Sequence, residues 1–380
     1  MEYGHGGDIY TYKDMLDFSV NVNPLGPSER VIEAAKRGVE RAAVYPDSRC
    51  RELRKALSEK KGIPAEQFLI GNGAADLFFS LALAEKPKRA VIPVPAFSEY
   101  EQALKTVGCS IHEYTLRQEE QFRLKEDFLD CLTEETDMIF LCSPSNPAGQ
   151  TIDRGILCRI ADRCEEKRIR LVVDECFVDF LEDPSGHTME KLTERYPCLF
   201  VVQAFTKIHA VPGLRLGYGI TSDTELLERM FKVRQPWSVS APAQEAGIAA
   251  LEDGDRVCAA RELVCRERPR MEKALQDMGI EVIPSEANFI LMYSIRDLFS
   301  RLKDRGILIR DCSNYSGLGT GWYRIAVRRK EENDRILEEL RKICRMEKCD
   351  PEDEEKSADR KIKTTGKAKW EEETQWQSRS

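Results

Sequence analysis

The residues best suited to chemistry lie just past apolar, strand-like runs. Lys207 follows Leu199-Phe-Val-Val202 in the segment Gln203-Ala-Phe-Thr-Lys-Ile-His-Ala-Val-Pro-Gly-Leu-Arg215. An amine attacks a carbonyl only when neutral, and both burial and a neighbouring cation such as Arg215 favour the neutral form. Lys207 is therefore placed to form an imine with a carbonyl cofactor, whereas most lysines of the chain read as solvated surface charges. Asp174 ends the run Arg170-Leu-Val-Val173. Such a carboxylate either caps a nearby loop or, across a pocket from the lysine, pairs with a pyridinium nitrogen and keeps that ring electron-withdrawing. Asn146, set between prolines in Ser143-Pro-Ser-Asn-Pro-Ala-Gly149, offers an amide donor for a phenolate oxygen.

Secondary structure has to bring these three residues together. Ala90–Val94, Ser110–Tyr114, Met138–Cys142, Arg170–Val173 and Leu199–Val202 are short β-rich runs, and Ser98–Val107, Ile156–Lys167 and Thr188–Arg195 read as helices between them. The alternation predicts an α/β fold with a mainly parallel sheet covered on both faces. Ligands of such sheets sit at the carboxyl ends of the strands, where all three residues fall. Upstream, Pro27–Arg41 reads as a helix capped by Ser28, and Arg51–Lys60 as a second. Gln67-Phe-Leu-Ile-Gly-Asn-Gly-Ala-Ala-Asp76 then reads as a strand that turns on its glycines into the helix Ala75–Leu83. Free N–H groups at that turn suit an anion, or the glycines serve the turn alone; the lysine of a nucleotide P-loop is absent.

Pattern changes divide the chain. Residues 1–30 read as an N-terminal arm, with His5-Gly-Gly and the alternating Leu16–Gly26, which resembles a short strand. Residues 31–270 form the large domain. From Met271 the order becomes mixed, with strands Glu281–Ile283, Asn288–Met292, Ile307–Arg310 and Trp322–Val327, and predicts a smaller α+β domain over 271–345. Residues 346–380 alternate blocks of acid and base with almost no aliphatics and read as a disordered charged tail; Trp370 and Trp376 either share its solvation or form a docking element.

Composition narrows the function classes. The 58 basic against 66 acidic residues give a formal charge of −8, which argues against nucleic acid as a partner. No apolar stretch reaches the roughly 18 residues a membrane span needs, so a cytoplasmic protein is expected. Thirteen cysteines without a Cys-x-x-Cys pair read as reduced thiols, and four histidines without ligand spacing predict no metal.

Together these residues resemble the fold-type-I family of pyridoxal 5′-phosphate (PLP) enzymes, in its histidinol-phosphate aminotransferase-like branch, over roughly residues 5 to 345. The resemblance implies that Lys207 carries the cofactor, Asp174 pairs with its pyridine nitrogen and Asn146 bonds its phenolic oxygen. It assigns the cofactor phosphate to Thr206, Arg215, the backbone of Ala74 and Ala75, and Tyr45 from the neighbouring subunit, so a homodimer is implied. Phe97 in Pro-Ala-Phe-Ser-Glu-Tyr100 matches the aromatic that stacks on the ring. Within the branch, His5-Gly-Gly, Phe18-Ser-Val-Asn-Val-Asn-Pro-Leu-Gly26, Thr206–Gly217 and Ile307–Cys312 look like the threonine-phosphate decarboxylases of cobalamin biosynthesis. Phe177 agrees, since the aminotransferases usually carry tyrosine there. Ala204 departs from both groups, in which a hydroxyl residue is common.

That resemblance implies decarboxylation of L-threonine O-3-phosphate, with Arg324 on the substrate carboxylate and His5, Gly6, Asn23 and Arg310 around its phosphate, Asn146 also facing the substrate. Arginine's planar fork suits both anions. Amino transfer between glutamate and imidazole-acetol phosphate is the alternative, because both reactions use the same lysine, aspartate and asparagine. A catalytically silent binding protein of the same fold is a third reading, which the intact Lys207, Asp174, Asn146 and Arg215 set disfavours.

Overall fold

The computed structural model describes residues 4–346, so the tail expected at 346–380, with Trp370 and Trp376, lies outside the described residues beyond Met346. The strands are β1 (Leu16–Asp17), β2 (Phe68–Gly71), β3 (Arg89–Val94), β4 (Ser110–Thr115), β5 (Met138–Cys142), β6 (Arg170–Asp174), β7 (Leu199–Ala204), β8 (Gly217–Ile220), β9 (Glu281–Ile283), β10 (Phe289–Tyr293), β11 (Ile307–Leu308), β12 (Arg310–Asp311) and β13 (Trp322–Ala326). Seven of them form one sheet in the order β2-β8-β7-β6-β5-β3-β4. Neighbours in it are parallel except at β8, which runs against both β2 and β7.

The two-residue period of its strands feeds an apolar layer on each face. Ile139, Leu141, Leu171, Val173, Leu199 and Val201 enter one core, while Met138, Phe140, Val172, Phe200 and Val202 enter the other. Helices close both layers, as the alternating pattern predicts. The helix Glu29–Glu40 starts where Ser28 Oγ accepts from Val31 N, and Arg154–Lys167 starts where Asp153 accepts from Ile156 N, each satisfying an otherwise free N-terminal donor.

A separate antiparallel sheet, β12-β13-β10-β9, lies wholly between residues 281 and 326. The run Ile307–Arg310, expected as one strand, splits: β11 pairs in parallel with β1 of the arm, and β12 pairs with β13. The arm's strand is correspondingly confined to Leu16–Asp17, bonded through Leu16 N to Gly306 O and Phe18 N to Leu308 O. Thr188–Arg195 is a 3-10 segment, Glu190–Glu194, rather than an α-helix. The arm and both larger sheets belong to one unit that ends at Asn333. Beyond it, the described part of the second unit is the remainder of the helix Lys330–Met346, where Lys342 pairs with Glu338 at 2.9 Å and Glu339 at 2.8 Å.

Candidate active site

Parallel register carries three chemical groups to one place. Cys142 lies opposite Asp174, and Asp174 opposite Val202, so β5 and β6 end level and β7 runs two residues further, to Ala204. Asn146 follows the first, Asp174 closes the second, and Lys207 sits one turn past the third. All three line a single cavity with Phe97, Thr206, Arg215, Ala74 and Ala75.

Burial governs the electrostatics of this cavity. Loss of hydration pushes the Lys207 amine below its ordinary value; the positive charges of Arg324 and Arg215 push the same way, and Cys176 and Asp174 oppose them. Burial raises Asp174, against donation from Cys176 and Tyr100 and the charge of Lys207. Its two oxygens are held apart by different donors: Cys176 N gives to Oδ1 at 2.9 Å and the Tyr100 hydroxyl to Oδ2 at 2.5 Å. Phe177 faces the lysine, with Nζ 5.5 Å from its ring centre.

Opposite Lys207 is an anion cup. The helix Ala74–Glu85 begins at Gly73 with no side-chain cap, leaving the N–H groups of Ala74 and Ala75 and the positive end of the helix dipole facing the cavity. Gly73 has φ +82°, and a Cβ there would stand 2.5 Å from Arg215 Nη2. A Cβ on Gly217 would likewise stand 2.8 Å from Ala74 N. Both glycines let the guanidinium and the helix start share one small space.

The arm and the second sheet supply the remaining cations. Arg324, in β13, is buried; it donates through Nη1 to Asn146 Oδ1 and through Nη2 to Ser19 O at 3.2 Å. That use of the amide oxygen leaves the Asn146 nitrogen to donate. Arg324 Nε is buried without a hydrogen-bond partner. Arg310 lies directly across the ladder from Arg324 and lines an adjoining cavity with His5 and Phe97. Gly6 packs so closely that a Cβ would stand 2.3 Å from Ser19 O. Asn23 is elsewhere: its amide donates to Ile208 O at 2.7 Å and its backbone N–H to Lys207 O at 3.0 Å, so it braces the lysine's turn. Tyr45 is 76% exposed, stacked on Trp237 at 4.4 Å, and does not line the lysine's cavity.

Two residues of the cavity escape the sequence reading. Tyr100 binds Asp174 and stacks on Phe140, with its ring edge-on to Phe97 and Phe78. Glu99 lines the cavity and pairs with His5 at 3.4 Å. Their signal is the first turn of the helix Ser98–Lys105, which places them beside Phe97.

A mainly parallel sheet with a lysine, an aspartate and an asparagine at adjacent strand ends defines a class. The chain belongs to the aminotransferase class I and II family, which matches residues 13–340, and it is a PLP-dependent enzyme of that class with the type-I fold. It is 38% identical over 351 residues to the threonine-phosphate decarboxylase of Salmonella typhimurium, covering 89% of this chain and 96% of that one. It is 34% identical over 337 residues to histidinol-phosphate aminotransferase 2 of Archaeoglobus fulgidus, covering 87% and 94%. The crystal structure of the histidinol-phosphate aminotransferase from Clostridium acetobutylicum superposes with a TM-score of 0.82 at 28% identity, covering 87% of this chain and 99% of that one.

The residues present fit pyridoxal phosphate. Arg215 and the uncapped helix start at Ala74 and Ala75 line one cavity and suit a phosphate, Asp174 offers a buried carboxylate to a pyridine nitrogen, and Lys207 is an amine biased toward neutrality. Among the described residues no helix is long and apolar enough to cross a membrane.

Proposed function

We propose that the enzyme decarboxylates L-threonine O-3-phosphate to (R)-1-amino-2-propanol O-2-phosphate and CO2, as a step of cobalamin biosynthesis in the cytoplasm. The observation that carries this reading is the pairing of Arg310 with Arg324 across the β12–β13 ladder. Side chains directly opposite in an antiparallel pair start about 4.5–5.5 Å apart. Two guanidinium groups so placed suit a small substrate whose carboxylate and phosphate sit on adjacent carbons. Similarity to the Salmonella decarboxylase supports the same choice.

Each residue then has a task. Thr206, Arg215 and the N–H groups of Ala74 and Ala75 would hold the cofactor phosphate, Phe97 would cover the ring, and Asp174 and Asn146 would bond its nitrogen and phenolic oxygen. Pyridoxal phosphate, when bound, supplies a sink for the electron pair left at Cα. Arg324, whose Nε has no hydrogen-bond partner among the described residues, takes the substrate carboxylate, and His5, Gly6 and Arg310 surround the substrate phosphate. Asn23 acts through the backbone of the Lys207 turn. These contacts would fix the substrate's orientation so that the Cα–carboxylate bond is the one that breaks. Lys207 then returns a proton to Cα. Tyr45 of the partner subunit completes the phosphate site in a homodimer, which its exposure beside Trp237, 46% exposed, favours.

The test is incubation of the purified protein and PLP with threonine phosphate alone. CO2 release without any keto acid supports the proposal. Similarity to the Archaeoglobus enzyme favours a second reading, histidinol-phosphate aminotransferase. No CO2, with amino transfer from glutamate to imidazole-acetol phosphate, would establish that reading instead.

A further inference from the structure

The pairing of Arg310 with Arg324 sets two like charges directly opposite in an antiparallel ladder, an arrangement that by itself drives them apart. Long side chains free to splay would hold two anions at no fixed separation. One other side chain reaches both. Tyr315 stands in the loop that joins β12 to β13, with its ring centre 5.4 Å from the Arg310 guanidinium carbon, and its hydroxyl accepts from Arg324 Nη1 at 3.4 Å. The ring face attracts a cation through its quadrupole, and the phenolic oxygen offers Arg324 a lone pair.

The loop decides where that ring stands. Cys312 N donates to Trp322 O at 2.8 Å and Tyr315 N to Cys312 O at 3.1 Å, so the turn is closed on the ladder itself. On the far side of Tyr315, Ser316 Oγ donates to Glu113 Oε2, in β4, at 2.6 Å. Gly317 follows with φ +80° against the end of β3, where a Cβ would stand 3.4 Å from Val94 C and Pro95 N. Tyr315 is thus flanked by anchors on both sheets. The same loop holds Arg310 from a second side, since Nη2 gives to Asn314 Oδ1 at 2.9 Å. Arg324 is tied away from the loop by Asn146 Oδ1 and Ser19 O.

Burial pushes the Tyr315 phenol up, and the charges of Arg324 and Arg310 do not cancel that rise. The side chain therefore stays neutral beside its two cations. It can space them without removing the positive field that draws a substrate with two anionic groups.

We propose that Tyr315 is the positioning residue that sets the separation of Arg310 and Arg324, and so selects substrates whose carboxylate and phosphate sit on adjacent carbons. The inference rests on the decarboxylase reading, in which those arginines take the two anions. A substrate with a longer span between its anions has to part the guanidinium groups, and one of them then leaves the ring or the hydroxyl.

The experiment titrates full-length holoenzyme, as wild type, Tyr315→Phe and Tyr315→Leu, with L-threonine O-3-phosphate and with L-homoserine O-phosphate, whose anionic groups are one methylene further apart. Dissociation constants come from the change in cofactor absorbance, and CO2 release is followed for each ligand. Wild type binds threonine phosphate about tenfold or more tightly than homoserine phosphate, the scale on which a pocket rejects one misplaced methylene. Tyr315→Phe keeps the ring against Arg310 and loses only the contact to Arg324, so the ratio falls to about threefold. Tyr315→Leu releases both arginines; threonine phosphate binds roughly tenfold to a hundredfold more weakly and the ratio approaches about one. A general loosening of the fold weakens both ligands alike, so the ratio is the readout that a merely structural role does not move. A wild type that binds the two ligands equally, or an unchanged ratio in Tyr315→Phe, overturns the role of Tyr315 whether or not Tyr315→Leu folds, and leaves decarboxylation standing where CO2 is released. Absence of CO2 from the wild type overturns the decarboxylase reading, while the binding ratios still decide Tyr315.

Discussion

Tyr100→Phe isolates the hydrogen bond that holds Asp174. Phenylalanine keeps the ring that stacks on Phe140 and meets Phe78 and Phe97 edge-on, so only the hydroxyl is lost. That hydroxyl donates to a buried carboxylate at 2.5 Å, and the remaining donor in place is Cys176 N on the other oxygen. A hydrogen bond to a charged group is worth roughly 1.5–3 kcal/mol, and the loss falls on an acceptor that water does not reach. The apoprotein is therefore predicted to lose about 1.5–3 kcal/mol at neutral pH. On the proposed pairing a pyridine N–H would give Asp174 a second donor, so the loss with cofactor bound is predicted to be smaller. Since burial already raises Asp174, the loss grows as pH rises through its titration and shrinks in acid, where a protonated carboxyl needs fewer donors. Urea unfolding of apo and PLP-bound wild type and variant measures all of this. An apo loss below about 0.5 kcal/mol would refute the Tyr100–Asp174 bond as a stabilising contact, and equal losses in the two forms would refute the pairing of Asp174 with the pyridine nitrogen.

Three further outcomes follow from the same geometry. Lys207→Met removes an amine whose folded-state value lies below its unfolded one. The unfolded chain therefore binds the extra proton, and wild-type stability rises with pH toward the lysine's ordinary range; the variant melts higher at pH 7, by about 2–4 °C per kcal/mol recovered, and lacks that slope. Gly73→Ala forces a Cβ to 2.5 Å from Arg215 at a φ of +82°, and strain of about 1–3 kcal/mol should weaken PLP binding roughly tenfold to a hundredfold in a cofactor titration. Arg324→Gln removes the guanidinium proposed for the substrate carboxylate and should raise KM for threonine phosphate about tenfold to a hundredfold, with cofactor absorbance retained.

Most of the sheet is readable from sequence because β3, β5, β6 and β7 are β-rich apolar runs bounded by turns, and apolar side chains at successive positions supply both cores at once. Lys207, Asp174 and Asn146 are legible for the same reason, since each follows such a run. β8 is not, because Gly217-Tyr-Gly-Ile220 carries too few side chains to show a pattern; its Gly219 is needed where a Cβ would stand 2.2 Å from the Phe200 ring. The split of Ile307–Arg310 is likewise invisible locally, since β1 of the arm, almost 300 residues away, takes the first half. Tyr100 and Glu99 read only as ordinary members of a short helix. Their roles arise from what β6 and the arm bring to meet them. Tyr45 exposes a ring that one chain leaves to solvent, so its expected place in the site depends on a second copy.

On the decarboxylase reading, Lys207 and its neighbours direct the break to the Cα–carboxylate bond and spare Cα–H. Threonine phosphate deuterated at Cα distinguishes the two directly by mass spectrometry of the product. Decarboxylation yields 1-amino-2-propanol phosphate that retains the deuterium and carries one proton from solvent at Cα. Loss of the deuterium to solvent, with the carboxylate still in place, would contradict it.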